Sequence, residues 1–113
     1  MEANSRAEIL QGTLDLLVLH VLAYEKLHGY AISGRIAEQS EEVLRAEEGS
    51  LYPCLYRMER RGWITSEVGL SENNRRARYY SLTRRGREEL RRQQKSWNLF
   101  TDAVDKVLSG KEK

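Results

Sequence analysis

The sequence GSLYPCLYRMERRGWI, at positions 49–64, combines the pattern of an amphipathic helix with the start of a strand. Leu51, Leu55 and Met58 recur at the spacing that places side chains on one face of an α-helix. Glycine commonly ends helices, and Gly62 follows two arginines whose charges suit a helix C-terminus. The stretch therefore predicts a helix that is closed at Gly62 and continues as a strand.

The start of this helix is predicted from the position of Pro53. Proline is tolerated in the first turn of a helix, where its missing N–H has no partner to lose, and it disrupts later turns. Ser50 or Gly49 is therefore the predicted N-cap, since both residue types favour that position.

A β-hairpin with a basic connection follows the helix. Residues 63–68 and 78–82 have the composition and alternation of strands. The connection between them, residues 69–77, is polar and rich in turn-forming residues. The densest basic run of the chain lies at its end, where Asn74 is followed by Arg75, Arg76 and Arg78.

Two helices are predicted before this point. The first is indicated by apolar residues at helical spacing, and we expect it to end at His28–Gly29. A second, shorter helix is expected from about Tyr30 to about Ser40, and a very short strand around residues 44–46. The apolar stripe of the first helix consists of Leu14, Leu17, Val18, Val21 and Leu22.

A long last helix is predicted from its N-cap at Thr83 to about Leu108. Its apolar residues recur at intervals of seven, which is typical of a helix that packs along another helix. Part of this seam could pack on the first helix. The rest is best covered by a second copy of the chain, so we expect a homodimer. The seam residues, which also form the candidate dimer and ligand interface, are Leu90, Trp97, Phe100, Val104 and Val107.

Composition and charge narrow the class of protein. The chain has 113 residues, about the size of one domain, and its net charge of +2 is unevenly distributed. Residues 57–92 hold eleven arginines and five acidic residues, which points to a polyanionic partner. We predict no membrane span and no signal peptide. The single cysteine favours a reducing compartment, and we expect the protein in the cytoplasm.

The order of elements predicts a mainly α fold with a small β-hairpin: a winged helix-turn-helix plus a C-terminal dimerisation helix. We place a flexible N-terminus at 1–8, the DNA-binding domain at 9–82, the dimerisation helix at 83–108 and a flexible tail at 109–113. In such a fold the third helix enters the major groove of double-stranded DNA. The basic hairpin contacts the backbone or the minor groove.

Several motifs resemble the PadR family of transcriptional regulators. The likeness runs from about residue 9 to residue 92 and includes LQGTLDLL at 10–17 and His28-Gly29-Tyr30. It continues through GSLYP at 49–53 and the hairpin sequence NNRRARYY at 73–80. The short C-terminal region resembles the small PadR subgroup, which has a single dimerisation helix. The resemblance implies a dimeric repressor, often relieved by a small molecule, that binds a two-fold symmetric operator.

The candidate DNA-binding residues come from the third helix and the hairpin. Side chains that lie off the apolar face of the helix are free to contact DNA, although a tyrosine among them could instead pack against the hairpin. The hairpin arginines could alternatively form a solvated charged loop. The predicted DNA-binding residues are Ser50, Tyr52, Pro53, Tyr56, Arg57, Asn74, Arg75, Arg76 and Arg78.

Other features allow more than one interpretation. Trp97 resembles a tryptophan that stacks on flat aromatic ligands in drug-sensing small PadR members, and simple interface packing is the favoured alternative. Cys54 could act as a redox switch near a helix N-terminus, but packing is the commoner role of a lone cysteine. His20 and His28 lack the neighbours of a metal site, so no metal and no cofactor are expected.

Two further classes of function are compared with DNA binding. No catalytic motif assembles, so the sequence does not predict an enzyme. A winged helix that serves as a protein–protein interaction module, with the C-terminal seam recruiting a partner helix, is the alternative function. The arginines near the tip of the hairpin, with few acids beside them, favour DNA over an acidic protein.

Overall fold

A computed structural model describes residues 7–8 and 11–110 of the chain. Four helices carry most of the structure, and the predicted winged-helix order of elements is confirmed. The helices are α1 (Gln11–Leu22), α2 (Gly29–Gln39), α3 (Glu48–Arg60) and α4 (Arg84–Leu108). The strands are β1 (Ala7–Glu8), β2 (Leu27–His28), β3 (Leu44–Arg45), β4 (Ile64–Leu70) and β5 (Arg76–Leu82).

The core lies between α1, α2 and α3 and is closed on one side by the sheet. The predicted apolar face of α3 is buried, and each of its three residues is at most 1% exposed. Burial of these side chains removes apolar surface from water and is the main stabilising term for the fold. The fully buried residues include Leu14, Val18, Leu19, Ile32, Leu51, Leu55, Met58 and Ile64.

The end of α1 differs from the prediction. The helix stops at Leu22 rather than at His28–Gly29. Leu27 and His28 instead form β2, which pairs antiparallel with β5 opposite Tyr80 and Tyr79. Leu27 is buried, so the short strand gains both a hydrophobic contact and backbone hydrogen bonds to the hairpin. The sheet therefore has three strands in the order β2-β5-β4.

The start of α3 also differs from the prediction. Its N-cap is Glu47, not Gly49 or Ser50, so Pro53 lies in the second turn. Proline there donates no hydrogen bond to the carbonyl of Gly49, and its ring crowds that carbonyl. Gly49 and Pro53 are both exposed, so water can satisfy the carbonyl and the helix continues.

The hairpin is longer and its connection shorter than predicted. β4 and β5 pair from Ile64 opposite Leu82 to Leu70 opposite Arg76. The loop is thereby reduced to residues 71–75, where Asn74 has a left-handed φ of 61°. Asparagine tolerates this conformation better than most residues, which explains its place in the turn.

The junction between the hairpin and α4 is tightly packed. Thr83 is the N-cap of α4, as predicted, and its hydroxyl accepts a hydrogen bond from the Gly86 amide at 3.0 Å. The Thr83 backbone N–H also donates to the Trp63 carbonyl at 3.0 Å. A β-carbon at Gly86 would collide with that same carbonyl. Glycine at position 86 therefore allows α4 to leave the domain in this direction.

The termini limit what can be compared with the predicted flexible segments. Of the N-terminal segment 1–8, only Ala7 and Glu8 are described, and they form β1, parallel to β3 at Leu44 and Arg45. Most of that segment, and residues 111–113 of the predicted tail, lie outside the described residues. Among the helices described, none is long and apolar enough to cross a membrane.

Candidate nucleic-acid interface

The face of α3 opposite the core is exposed and carries most of the predicted helix contacts. Tyr52 is 45% exposed and Tyr56 is 65% exposed, and Ser50 and Pro53 are also on the surface. Exposed aromatic side chains with a hydroxyl group can donate to phosphate and pack on sugars or bases. The structure thus brings these four residues together on one helix face.

Tyr52 is positioned by a close approach to α2. Its hydroxyl and ring occupy the space that a β-carbon on Gly29 would need. Gly29 is the first residue of α2 and is buried, whereas Tyr52 keeps part of its ring in solvent. The glycine of the His28-Gly29-Tyr30 motif therefore makes room for a side chain of the candidate interface.

Arg57 lies on the flank of α3 that faces α1, where it forms an ion pair with Asp15. Its side chain is 26% exposed and that of Asp15 is 12% exposed. The hydrogen bond to Asp15 raises the pKa of Arg57, so the guanidinium remains charged. In the part of the chain that the structure describes, only one of its nitrogens is engaged, and a guanidinium carries five N–H groups. The structure places Arg57 at the edge of the exposed face, anchored at one end.

The hairpin is tied to α3 through a short chain of hydrogen bonds. The Arg78 guanidinium donates to the Ser66 hydroxyl at 3.0 Å, and that hydroxyl donates to the Glu59 carboxylate at 2.8 Å. Arg78 is thus placed beside the helix rather than at the tip of the hairpin. The chain of contacts links both strands of the hairpin to the last turn of α3.

The tip of the hairpin presents cations to solvent. Arg75 lies in the loop and Arg76 is the first residue of β5, and both are exposed. Within the residues that the structure describes, neither arginine forms an ion pair. Asn74 sets the turn between them and β4. The predicted basic tip is therefore present and available to an anion.

The sequence indicates Arg60 and Arg61 only as charges at the end of a helix, whereas the structure also places each of them over an aromatic ring. The Arg60 guanidinium carbon lies 5.8 Å from the centroid of the Tyr56 ring. That of Arg61 lies 5.2 Å from the centroid of the Trp63 ring. With Arg57 and Tyr56 they line an open cleft of about 330 Å³. An aromatic residue four positions before Arg60 was the signal available in the sequence.

The predicted seam of α4 divides into two parts. Leu90 is half-buried and packs on the core, while Trp97 and Phe100 face α1 across an open cleft of about 430 Å³. The Trp97 and Phe100 ring centroids are 6.1 Å apart. Val104 and Val107 lie beyond this cleft, and Val107 is 77% exposed. The cleft is lined by Gly12, Thr13, Leu16, Arg92, Gln93, Ser96, Trp97 and Phe100.

Cys54 has the setting of a packing residue. It is 1% exposed, and its thiol donates to the Asp15 carboxylate at 3.1 Å. Burial, with the nearby carboxylate, raises the pKa of Cys54 to about 12. The thiolate is the reactive form, so this thiol is protected at neutral pH. The burial of Cys54 agrees with the packing role and not with the alternative of a redox switch.

Fold and surface together define a class: a winged-helix domain with a basic hairpin and a long C-terminal helix. Residues 18–92 match the transcriptional regulator PadR-like family, which is about two thirds of the chain. The chain belongs to this family, as the sequence resemblance predicted, and is thus a transcriptional regulator of the DNA-binding type.

Solved structures agree with this assignment. A PadR family transcriptional regulator from Eggerthella lenta is 32% identical, with a TM-score of 0.75 over 89% of this chain and 86% of that one. A PadR-like transcriptional regulator from Bacillus cereus is 28% identical, with a TM-score of 0.76 over 90% and 97%. The chain is also similar in sequence to an uncharacterized protein from Lysinibacillus sphaericus. The two are 26% identical over 107 residues, which cover 95% of this chain and 98% of that protein.

Proposed function

We propose that this protein is a homodimeric repressor that binds a two-fold symmetric DNA operator in the cytoplasm. The observation that carries this proposal is the fixed placement of two donor-bearing surfaces in one domain. The exposed face of α3 and the arginine-bearing hairpin are joined by the contacts of Arg78, Ser66 and Glu59. A rigid pair of this kind suits a duplex, which presents a groove beside a charged backbone.

In this proposal the two surfaces have different tasks. The face of α3 with Tyr52 and Tyr56 enters the major groove, and Ser50 and Pro53 meet the groove wall. Arg57 uses the N–H groups that Asp15 leaves unengaged to contact a base edge or a phosphate. The hairpin residues Asn74, Arg75 and Arg76 contact the neighbouring backbone or minor groove. Arg78 positions the hairpin and supplies charge close to α3.

Dimerisation is assigned to α4. This helix continues past the domain and exposes large apolar side chains. Exposure of apolar surface to water is unfavourable, so a partner that covers these side chains would stabilise the protein. Phe100 is 60% exposed and Val107 is 77% exposed, at the seven-residue spacing of a helix-pairing seam. Pairing of two copies along α4 would present two DNA-binding domains to two half-sites. The two-fold symmetry of the dimer would then be matched by the operator.

The cleft between α1 and α4 is the place we assign to an effector. Trp97 and Phe100 offer aromatic surface for a flat aromatic molecule, with Ser96 and Gln93 as polar partners. A ligand there would contact both the dimerisation helix and the helix that anchors Arg57. Such a ligand is expected to relieve repression by altering how the two DNA-binding domains of the dimer are placed relative to each other.

The proposal is tested by fluorescence anisotropy with a labelled duplex of mixed sequence, titrated at two salt concentrations. We expect tight binding at low salt and a steep loss of affinity as salt rises, because binding releases counterions from the phosphates. Absence of binding at low salt would reject the DNA-binding proposal. The protein–protein interaction module would then be the better hypothesis, with the exposed part of α4 as its docking surface.

A further inference from the structure

We propose that the cleft formed by Tyr56, Arg57, Arg60 and Arg61 is a dedicated site for one backbone phosphate of the bound duplex. This inference rests on the proposed function and adds a contact on the C-terminal half of α3. The cleft shares Tyr56 and Arg57 with the groove-facing surface and extends from them to Arg60 and the C-cap Arg61 at the end of α3. A phosphate held there would fix how far α3 slides along the groove.

The chemistry of the lining points to an anion. Each of the four residues offers a hydrogen-bond donor, and three of them carry a full positive charge. Planar guanidinium groups bind phosphate oxygens in pairs of hydrogen bonds. The volume of about 330 Å³ admits a phosphodiester with several waters, since liquid water occupies about 30 Å³ per molecule.

The arginines are also held in place before any ligand arrives. Arg60 lies over the Tyr56 ring and Arg61 over the Trp63 ring, which restricts two otherwise flexible side chains. Holding the donors in advance lowers the entropy cost of binding. A cation that only balances the helix dipole would need no such support, because that effect requires just proximity to the last turn.

Nearby acidic groups form their hydrogen bonds with residues outside the cleft. The Glu59 carboxylate accepts from Ser66 on the hairpin side, and Glu89 accepts from Arg92 and Gln93 on α4. The charge of Glu89 also interacts with that of Arg61. Across residues 11–110, neither Arg60 nor Arg61 forms an ion pair. Arg85, in the first turn of α4, adds a further guanidinium beside Gly62. With three guanidinium groups in its lining and that of Arg85 nearby, the cleft keeps an excess of positive charge.

The test compares the salt dependence of duplex binding for the full-length protein and two double variants. Arg60→Gln with Arg61→Gln removes the charge from the cleft. Arg91→Gln with Lys95→Gln is the matched control, because it removes the same charge from an exposed face of α4. The probe is the labelled mixed-sequence duplex, and thermal melting checks that each variant is folded.

We expect the cleft variant to lower the slope of log affinity against log salt by about 0.9, the value for one lost phosphate contact. The control should keep the slope of the wild type. A cleft variant that matches the control would overturn the phosphate site while leaving the proposed function intact. If the wild type itself does not bind the duplex, both proposals fail together.

A third variant separates charge from packing. Arg60→Lys with Arg61→Lys keeps both charges but loses the planar groups that stack on the rings. For a phosphate site, we expect this variant to keep a slope close to that of the wild type. A loss as large as that of the glutamine variant would instead assign the arginines a structural role and overturn the proposal.

Discussion

Asp15 of α1 accepts hydrogen bonds from both the Arg57 guanidinium and the Cys54 thiol of α3 through the same carboxylate oxygen. The carboxylate is the one charged group on the buried side of α1, as far as residues 12–110 show. Its neighbours Thr13 and Leu16 line the cleft toward α4. One short segment of α1 therefore faces α3 on one side and α4 on the other.

Removing either partner of the Asp15–Arg57 pair should destabilise the domain. Asp15→Asn or Arg57→Gln leaves a partly buried group without its charged partner, and we expect each to lower the free energy of unfolding by about 2 kcal/mol. The double variant should lose less than the sum, because neither charge is then stranded. Urea unfolding of all four proteins provides the measurement.

A surface ion pair in the same protein serves as the control for this cycle. Arg35 and Glu25 pair at 2.7 Å with side chains 29% and 54% exposed. Their removal should cost less than about 1 kcal/mol, as is usual for exposed pairs. Equal losses for the two pairs, or strict additivity at Asp15 and Arg57, would contradict the role we assign to this contact.

Variants of the hairpin and of α3 should affect DNA binding in different ways. Arg75→Ala with Arg76→Ala removes phosphate contacts, so all sequences should bind more weakly by a similar factor and with a lower salt slope. Arg57→Ala should instead change which sequence is preferred, because the proposed function has Arg57 contact a base edge with the N–H groups that Asp15 leaves unengaged. Selection of bound sequences from a random duplex library, together with salt titrations, measures both effects. Unchanged binding by the hairpin variant would remove the hairpin from the interface.

The sequence predicted the fold because most of its signals are local. The apolar face of α3, the stop at Gly62 and the Thr83 cap each depend on residues within a few positions. These features fix the helix order, and the basic hairpin between α3 and α4 completes the winged-helix pattern. The exposed face of α3 and the arginines near the hairpin tip were predictable for the same reason.

What the sequence did not predict depends on contacts between distant residues. β2 exists because Leu27 and His28 pair with a strand some fifty positions later. The engagement of Arg57 by Asp15 joins residues 42 positions apart, and no local pattern marks it. The start of α3 was misplaced since proline in the second turn is tolerated only where the freed carbonyl is exposed.

Charge substitutions can show whether the seam residues of α4, rather than its other apolar residues, hold the proposed dimer together. Phe100→Glu with Val107→Glu should convert the proposed dimer to a monomer, because burying carboxylates in a helix interface is costly. Leu99→Glu is the control, since Leu99 is 74% exposed and lies off the seven-residue seam. Sedimentation velocity distinguishes the two states. A monomeric Leu99 variant, or a dimeric seam variant, would show that the chains pair along another face.

Two glycines with opposite surroundings test the packing of α4 on the domain. In Gly86→Ala the new methyl group would meet the Trp63 carbonyl and Leu82, whose nearest carbon lies 2.6 Å from the added β-carbon. The backbone carbonyl cannot move without breaking its bond to the Thr83 amide. We therefore expect Gly86→Ala to lower the free energy of unfolding by about 1–3 kcal/mol, despite the better helix propensity of alanine.

The control is Gly34→Ala, which lies in α2 with open space around it and should raise the free energy of unfolding by about 0.5–1 kcal/mol. Thermal unfolding of both variants gives the comparison. If Gly86→Ala were as stable as Gly34→Ala, α4 would not be fixed to the α3–β4 turn, and the proposed dimerisation helix would have no fixed placement relative to the proposed DNA-binding surface.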